Sequence, residues 1–504
     1  VFAAATDVAI GDHVRIEGTV TEYVTSSGAS SMTELINNTV VVCATPAAMP
    51  TATEVTLPVA SLADLERYEG MLVTLPQSLT IAEFFNFDRF GEIVLATDRQ
   101  YTPTAVVEPG PDAIALAATQ ALARITLDDG RSSQNPDPAI HPNGAIFDLT
   151  NTFRGGDLVQ GVTGVMDDTF GLYRIQPVQG ANYTSVNPRP AQPDDVGGSL
   201  KVDSFNVLNY FTTIDDGVND ICGPAGNQEC RGADDANELA RQRAKIIAAL
   251  STMNADVVGL LEIENHPGDV PTADLVSGLN DLMGAGTYAY IETGAIGTDA
   301  IRVAIIYKPG SVTPAGSYAV LDSSVDSRFD DAKNRPALAQ SFMENSTGEI
   351  FTVAVNHLKS KGSDCNDVGD PDLGDGAGNC NLTRQAAAQA LVDWLAADPT
   401  GSGDPDALII GDLNSYDKED PIDAILAGPD DVLGTEDDYT DLIFAFGGEF
   451  AYGYVFDGKV GYLDHGLASS SLVGQVTGAT EWHINSDEPD LLDYDTSFKA
   501  DAQD

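Results

Sequence analysis

The stretch Ala407-Leu408-Ile409-Ile410-Gly411-Asp412-Leu413-Asn414-Ser415 is the one around which the chain is organised. Four apolar residues that run into a glycine predict a buried strand, and the Asp-x-Asn behind them predicts a site at the end of that strand. Because strand side chains alternate between faces, Asp412 and Asn414 should point the same way while Leu413 points into the core. A simple Asx turn would satisfy these residues equally well if the stretch stood alone.

The composition of the chain limits its classes of function. The 504 residues are 43% apolar and include 48 Gly and 26 Pro, which is typical of a loop-rich β or α/β protein. Lys and Arg number 25 against 77 Asp and Glu, so the net charge is −52. Such acidity is typical of secreted or salt-adapted proteins and argues against binding nucleic acid through a broad basic face. A polyanionic substrate would therefore have to be held by local cations and bound metal.

Four of the five cysteines form two close pairs in Gly/Asp/Asn-rich segments, Cys222 with Cys230 and Cys365 with Cys380. Two loop disulfides are the favoured interpretation, and they imply an oxidising compartment and a secreted protein. A zinc site is the weaker alternative, because no histidine lies at ligand spacing from these cysteines. Cys43 has no predicted partner. No apolar run is long enough to cross a membrane.

The hydrophobic pattern changes near residue 184. Residues 1–183 consist of short β patterns between turn residues, with one helical segment at 114–124, and predict a small OB-like β-barrel. Residues 184–199 are rich in Pro and Gly and are predicted to be a linker. In residues 200–504, apolar strand runs alternate with helical patterns, which predicts a layered α/β domain. The predicted strands are 202–208, 257–263, 302–307, 351–355 and 408–411, and the predicted helices are 237–253 and 383–397.

Polar side chains stand at or near the ends of five apolar runs in this second region. They are Asn206, Glu262, His357, the pair Asp412 and Asn414, and Asp464. Taken singly, Glu262 is compatible with an ordinary helix-start carboxylate and His357 with a core histidine. Together they form an oxygen-rich set for a hard cation with one titratable ring, as metal-assisted phosphoester hydrolysis requires. No Gly-x-Ser-x-Gly or P-loop motif that would favour another enzyme class occurs in this region.

Six motifs in this order resemble the endonuclease/exonuclease/phosphatase superfamily. They are Ser-Phe-Asn-Val-Leu-Asn-Tyr-Phe from residue 204, Gly-Leu-Leu-Glu-Ile-Glu-Asn from 259, Asn-Arg-Pro-Ala-Leu from 334, Asn-His-Leu-Lys-Ser-Lys-Gly from 356, Gly-Asp-Leu-Asn from 411, and Leu-Asp-His-Gly-Leu-Ala-Ser from 463. More closely, residues 187–495 resemble the secreted bacterial endonucleases of the ExeM/NucH type, relatives of DNase I. The resemblance implies a two-layer β-sandwich flanked by helices, the DNase I-like α/β fold, preceded by an OB-like domain.

The resemblance also implies a metal site. Glu262 would bind the metal with help from Asn206, and Asp412 would position the attacking water or bind a second metal. The catalytic metal would be Mg²⁺ or Mn²⁺.

The remaining matches would handle the phosphate. His357 would contact the scissile phosphate or protonate the leaving oxygen, Asn414 would bind phosphate, and Asp464 would support these contacts. Arg335 would contact the phosphate as well, although a surface ion pair is its plain interpretation in so acidic a chain.

One departure concerns the closing Ser-Asp-His of the family, which this chain lacks. Asp464-His465 matches an earlier Asp of the family by position, and Ser486-Asp487-Glu488 is no substitute, because a glutamate cannot take both roles of an imidazole. The chain also starts with valine rather than methionine. We therefore expect both ends to be incomplete, and we expect the chain as given to lack activity until a Ser-Asp-His segment is restored.

Two acidic loops are candidate calcium sites. Asp370–Asn379, enclosed by Cys365 and Cys380, is similar to a calcium loop but lacks the closing Glu of an EF-hand, and a solvated loop is the equal alternative. Gly428–Gly434 with Glu436–Asp438 is a weaker candidate.

The sequence thus predicts a secreted, monomeric, metal-dependent endonuclease that cleaves DNA, and RNA as a second substrate, with little sequence preference. The alternatives are a phosphomonoesterase or lipid phosphodiesterase of the same fold, and a non-catalytic matrix or adhesion protein stabilised by calcium.

Overall fold

A computed structural model describes residues 6, 8, 9, 11–24, 31–43, 48–131, 133–497 and 499. The strands are β1 (Val14–Val24), β2 (Ser31–Val42), β3 (Thr53–Glu54), β4 (Leu72–Glu83), β5 (Ile93–Ala96), β6 (Gln100–Tyr101), β7 (Arg124–Leu127), β8 (Leu158–Thr169), β9 (Leu172–Pro177), β10 (Asn182–Thr184), β11 (Val202–Tyr210), β12 (Val257–Glu264), β13 (Ala289–Tyr290), β14 (Ile301–Tyr307), β15 (Val312–Leu321), β16 (Arg335–Glu344), β17 (Ile350–His357), β18 (Ala407–Asp412), β19 (Tyr439–Asp441), β20 (Tyr454–Phe456), β21 (Lys459–Gly461) and β22 (Asp464–Ser469). The helices are α1 (Phe87–Phe90), α2 (Pro103–Val106), α3 (Pro111–Ala121), α4 (Ala236–Met253), α5 (Val270–Met283), α6 (Asn381–Ala396), α7 (Asp420–Leu426) and α8 (Leu442–Gly447).

The first region is β-rich, as the sequence predicted. β1 and β2 form an antiparallel pair of their own, and seven strands form a sheet in the order β10-β8-β9-β7-β5-β4-β3. Because β4 also pairs with β8, the strands β4, β5, β7, β9 and β8 close into a ring. Its interior is a cluster of buried residues that includes Val73, Leu95 and Val159. That this closed ring is an OB-fold stays a prediction.

Two sheets form the core of the second region. One has four strands in the order β11-β12-β14-β13, and the other has six in the order β15-β16-β17-β18-β22-β19. They share one hydrophobic cluster, in which Leu261 and Val303 of the first sheet pack with Phe342 and Val355 of the second. Gly259 in β12 lets the sheets approach closely, since a Cβ there would lie 2.8 Å from the side chain of Ile410.

Helices cover the outer faces of both sheets. α4 and α5 pack residues such as Leu250 and Leu279 onto the four-stranded sheet. α6 and α7 pack residues such as Leu391 and Ile425 onto the six-stranded sheet. The predicted two-layer β-sandwich flanked by helices is therefore confirmed. Leu413, just behind β18, is fully buried, as strand alternation required.

Two predicted helices agree with the structure to within two residues, and the third, predicted at 114–124, is α3 (Pro111–Ala121), three residues earlier. The helix predicted at 237–253 is α4, and Asp235 caps it by accepting hydrogen bonds from the backbone N–H groups of Asn237 and Glu238. The helix predicted at 383–397 is α6. The sequence analysis missed α5, which has a glycine in its middle and hence a weaker helix signal. Gly278 lets α5 lie close to α4, because a Cβ there would be 2.1 Å from Ile247.

Both predicted disulfides are present, Cys222–Cys230 and Cys365–Cys380. These four sulfur atoms are therefore not zinc ligands. Cys43 is a free cysteine. In the described part of the chain, no helix is both long and apolar enough to span a membrane.

Ion pairs around two buried carboxylates join the first region to the end of the second. Arg99 pairs with Asp487, Arg154 pairs with both Asp487 and Glu488, and Arg189 pairs with Glu488. Asp487 is fully buried. The Ser486-Asp487-Glu488 segment therefore packs the two regions together. Residues 185–199, predicted as a linker, have no regular secondary structure but are tied to this ion cluster through Arg189.

Candidate active site

Four neighbouring strands each begin or end with a predicted site residue. β16 begins at Arg335, β17 ends at His357, β18 ends at Asp412 and β22 begins at Asp464. The strand register pairs Arg335 with His357, His357 with Asp412, and Asp412 with Asp464. The four residues therefore form one row across the six-stranded sheet, with about 4.8 Å between neighbouring strands.

Glu262 belongs to the other sheet and lies at a bulge in β12. β12 pairs with β14 at Leu260 and again at Ile263, with a shift of register between them. Glu262 has a left-handed φ of 62°, which is uncommon for a residue with a side chain. Its Oε1 accepts a hydrogen bond from the Asn206 side-chain amide at 3.1 Å, and its Oε2 accepts one from the Asn209 backbone N–H at 3.0 Å. Asn206 and the backbone of β11 thus orient this carboxylate.

The chain turns sharply at the end of β18. Gly411 has a φ of 121°, and a Cβ there would lie 2.1 Å from the backbone oxygen of Asn356, so this position requires glycine. The Asn414 backbone N–H donates to Asp412 Oδ1 at 2.8 Å, which forms the Asx turn that the sequence allowed. The Asn414 side-chain amide donates to the Leu358 oxygen at 3.0 Å and ties the turn to the end of β17. The buried strand end and the Asx turn therefore occur together.

The site concentrates negative charge in a buried place. Burial raises the pKa of the Asp412 carboxyl well above its ordinary range, and the charges of Asp464 and Glu262 raise it further. Burial likewise raises the pKa of Asp464 to about 6, with Glu262 adding to the effect and His465 opposing it. The influence of Glu262 on both aspartates places the three carboxylates near one another. The Ser204 hydroxyl, at 3.5 Å from Asp464 Oδ1, is the weak polar partner of that carboxylate.

His357 is a neutral, buried imidazole beside a guanidinium. Burial lowers its pKa well below the ordinary range, and the charges of Arg335 and Arg231 lower it further. Arg335 Nη1 donates toward His357 Nε2 at 3.4 Å, and Nε2 also lies 3.7 Å from Asp412 Oδ2. Since a guanidinium only donates, the ring proton belongs on Nδ1 while this contact is made, and Nδ1 has no hydrogen-bond partner among the described residues.

Arg335 is held in place by an acid that the sequence analysis did not single out. Its Nε donates to Asp299 Oδ2 at 2.9 Å, and Arg231 pairs with the same carboxylate at 3.1 Å. Only 9% of Arg335 is exposed. The ion pair of Arg335 with Asp299 is therefore part of the wall of the site. It is not a surface ion pair, which was the alternative interpretation of Arg335 from the sequence.

A second imidazole supports the turn behind Asp412. His465 Nδ1 lies 3.0 Å from Asp441 Oδ2, and Nε2 lies 2.8 Å from the Ser415 backbone oxygen. Burial lowers the pKa of His465, but the hydrogen bond and the charge of Asp441 outweigh it, so the net pKa is raised. Both ring nitrogens face acceptors, so the protonated ring fits this place and holds the turn. Asp441 carried no recognisable signal in the sequence.

Glu481 is a further buried acid near the site that the sequence analysis missed. Burial and the charge of Asp464 raise its pKa to about 8, although the Tyr452 backbone N–H donates a hydrogen bond to it. It is therefore mostly protonated at neutral pH.

Glu262 and Asp412 are the residues that could hold a divalent cation here. These two carboxylates concentrate negative charge, and a bound cation would balance it. Among the described residues, no three Asp, Glu, His or Cys side chains are grouped closely enough to hold a metal unaided. Mg²⁺ commonly takes one or two protein carboxylates and completes its shell with water and phosphate oxygens. The donors present fit such a cation.

The two acidic loops have other partners. The Asp370 carboxylate accepts hydrogen bonds from the Thr383 backbone and hydroxyl at 2.7 and 2.8 Å, near the start of α6. In the second loop, the Thr435 hydroxyl lies within 3.4 Å of Asp430 and Asp437. Neither loop forms a metal-holding group within the described ranges. Structural calcium stays a prediction.

Two facing sheets covered by helices, with carboxylates, an imidazole and a guanidinium in one row, are features of hydrolytic phosphoesterases. The sequence profile of the endonuclease/exonuclease/phosphatase family matches residues 204–487, which is more than half of the chain. The chain belongs to this family. The match confirms the resemblance at the level of the superfamily, and the ExeM/NucH type stays a prediction.

Several solved structures are similar to this chain. The catalytic domain of human Nocturnin with bound sulfate is 16% identical to this chain, with a TM-score of 0.32. The alignment covers 47% of this chain and 78% of the Nocturnin chain. A mannosyl-6-phosphatase from Bacteroides thetaiotaomicron is 16% identical, with coverages of 54% and 85% and a TM-score of 0.35. TDP2 from D. rerio in complex with a single-strand DNA product is 13% identical, with coverages of 47% and 79% and a TM-score of 0.31. No curated protein matches the chain.

Proposed function

We propose that this chain is a secreted, divalent-metal-dependent phosphodiesterase that hydrolyses DNA, and RNA as a second substrate, with little sequence preference. The observation that carries the proposal is the row of Arg335, His357, Asp412 and Asp464 across one sheet, with Glu262 facing it from the other. Phosphoryl transfer needs charge stabilisation and positioning more than a protein nucleophile, and this row supplies both.

A divalent cation held by Glu262 and Asp412 would neutralise charge on the phosphoryl oxygens and favour ionisation of a water. Asn206 orients Glu262 through its side-chain amide. The Asx turn fixes Asp412, because its Oδ1 accepts the hydrogen bond from the Asn414 backbone N–H. The other oxygen, Oδ2, is left to bind water or a cation. The negative charge of these nearby carboxylates favours binding of a cation.

The other residues of the row would bind and protonate the substrate. Arg335 carries a permanent positive charge. Its hydrogen bond to Asp299 fixes the guanidinium in the wall of the site. His357 turns Nε2 toward Arg335 and Asp412, and in the tautomer with its one ring proton on Nε2 it would donate to a phosphate oxygen or to the leaving oxygen. Asn414 is fixed by its bond to the Leu358 oxygen and would contribute polar contacts to the phosphate. Asp464, paired with Asp412 across β18 and β22, would support these phosphate contacts.

Secretion is proposed from the two disulfides, because such bonds persist in oxidising compartments. The net charge of −52 repels a polyanion at long range. We therefore expect DNA binding to depend on the divalent cation and on contacts near the site rather than on a basic surface. A monomer is expected.

Plasmid DNA digestion is the direct test, and it compares the 504-residue chain, which is expected to be inactive, with a chain extended by a segment that contains Ser-Asp-His. Nicking by the extended chain with Mg²⁺ or Mn²⁺ that stops in EDTA would support the proposal, and Glu262→Gln should abolish it. The Asp203→Asn variant is a matched control, because Asp203 is a half-buried acid on β11 that plays no part in the proposed chemistry.

A phosphomonoesterase is the second candidate, since the family to which the chain belongs includes phosphatases. The site chemistry is shared, and the loops around it select the substrate. Intact plasmid together with phosphate release from sugar or inositol phosphates, or with hydrolysis of sphingomyelin, would replace the nuclease proposal. No hydrolysis of any phosphoester, with full stability in calcium, would favour the non-catalytic alternative.

A further inference from the structure

Two exposed aromatic rings stand on the hairpin of β20 and β21. Tyr454 is 41% exposed and Phe456 is 64% exposed. They are two residues apart on one strand and therefore share a face. Their ring centroids lie 6.5 Å apart and their planes are 11° from parallel. Asp457 and Gly458, both with positive φ, form the tight turn that follows.

The spacing of these two rings is close to that needed for one planar nucleobase to fit between them. Stacked bases repeat every ~3.4 Å along a strand, so a base with an aromatic ring on each side needs about 6.8 Å between the rings. Both rings are open to solvent. Stacking on aromatic rings is the usual way in which proteins hold unpaired bases without reading their sequence.

The hairpin is fixed from the side of the first region. β21 pairs in parallel with β6, and the Thr102 backbone N–H donates to the Val460 oxygen at 2.8 Å. Arg124 Nη1 donates to the Asp457 oxygen at 2.9 Å. Gly458 packs tightly, since a Cβ there would lie 3.1 Å from the Cβ of Glu83. The rings are therefore presented on a fixed support, which lowers the entropy cost of binding.

The hairpin leads directly into the candidate active site. β21 ends at Gly461, where a Cβ would lie 2.8 Å from the ring of Tyr416, just behind the turn that follows Asp412. The Leu413 backbone N–H donates to the Leu463 oxygen at 2.8 Å. Burial raises the pKa of Tyr454, and the charge of Asp412 adds to it, as expected for neighbours. A strand with its phosphate at Asp412 would thus pass these rings.

From this geometry we propose that Tyr454 and Phe456 form a stacking site for an unpaired base next to the scissile phosphate of a single-stranded nucleic acid. This inference rests on the nuclease function proposed above and names its substrate class. The stacking site itself is two uncharged rings, and the two cations beside it, Lys459 and Arg124, both pair with the Asp457 carboxylate, at 2.5 and 3.6 Å. Its contribution to affinity should therefore depend little on salt.

Binding of a nuclease-resistant phosphorothioate oligothymidylate in Mg²⁺ tests the proposal without relying on catalysis. Anisotropy of this labelled single strand is compared for the wild type, Tyr454→Ala, Phe456→Ala and Tyr454→Phe. Stacking contributes about 1–3 kcal/mol per base, so each alanine should weaken binding by about fivefold to a hundredfold. Tyr454→Phe should bind like the wild type, and the fold-loss should be the same at low and high salt. Phe170→Ala is the matched control, because Phe170 is 84% exposed and lies in the β8–β9 turn of the first region.

Cleavage separates this inference from the proposed function. With Mg²⁺, the alanine variants should raise KM for the single strand and leave kcat/KM for bis(p-nitrophenyl) phosphate unchanged, because that small diester has no neighbouring nucleotide. Wild-type binding and KM in both alanine variants, an equal loss in Phe170→Ala, or no binding by the wild type would overturn the stacking site. Weakened binding in the variants of a protein that cleaves no phosphodiester would retain the stacking site and overturn the nuclease.

Discussion

Replacing Asp464 with asparagine should make the metal-free protein more stable and less active. Burial and the nearby Glu262 raise the pKa of Asp464 to about 6, against an ordinary value of 3.8. A carboxyl whose folded pKa is raised destabilises the fold wherever it is ionised. That penalty is fully present above pH 6 and disappears below about pH 4, because the proton is then bound in both states. Asparagine keeps the shape and removes the charge.

The magnitude follows from the difference between these two pKa values. It corresponds to about 3 kcal/mol at neutral pH, and because the side chain keeps some access to solvent we expect ~1–3 kcal/mol. The Ser204 contact at 3.5 Å is long, so its alteration contributes little. Activity should fall by about a hundredfold or more, the loss expected when a polar group that aligns the reacting atoms is removed.

Urea unfolding in EDTA from pH 4 to pH 8 measures the effect, with plasmid nicking in Mg²⁺ beside it. Asp203→Asn is the matched control, because burial raises the pKa of Asp203 to about 6 as well. It should give a similar gain in stability with no loss of activity. A stability difference between Asp464→Asn and the wild type that is flat with pH would refute the electrostatic reasoning. Wild-type nicking by Asp464→Asn would remove Asp464 from the chemistry.

Three further predictions concern the same region. Glu262→Gln and Asp412→Asn should each lower kcat about a hundredfold or more in steady-state nicking assays, and unchanged turnover in both would remove them from the site. Gly411→Ala should destabilise the protein by about 2–5 kcal/mol in urea unfolding, because the added Cβ would lie 2.1 Å from the Asn356 oxygen at a φ of 121°, and a cost below 1 kcal/mol would contradict that packing. Loss of the Cys365–Cys380 bond in a double serine variant should cost about 3 kcal/mol for a separation of 15 residues, and free thiols at both positions in non-reducing peptide maps would contradict the pairing and the secretion argument.

Much of the sandwich was predictable because its signals are local. The apolar run into Gly411 and the runs before Glu262 and His357 are continuous hydrophobic segments, and these are typical of strands buried on both faces. The helix α4 has both an apolar face and a capping Asp235, so its start was also readable. Close cysteine pairs in loop sequence predicted both disulfides.

What the sequence did not reveal depends on contacts between distant segments. Asp299 lies 36 residues from Arg335, and Asp441 lies 24 residues from His465, so no spacing rule links them. The bulge at Glu262 follows from pairing on both sides of β12, and it displaces the residue from the regular register. The hairpin with Tyr454 and Phe456 is only three residues per strand, and its position is set by a strand of the other region.

Of the thirteen described non-glycine residues with positive φ, four lie around the candidate site. Leu208, Asn209, Glu262 and Asn414 all have positive φ, and all lie in or behind the two sheet edges that meet there. Each such residue costs on the order of 1–3 kcal/mol and persists only where surrounding packing fixes it. Burial of the charged carboxylates destabilises the fold further. A cation at Glu262 and Asp412 would reduce the charge cost but not the backbone cost, so metal should raise the stability of the wild type more than that of Asp412→Asn, and this difference reports binding without any substrate.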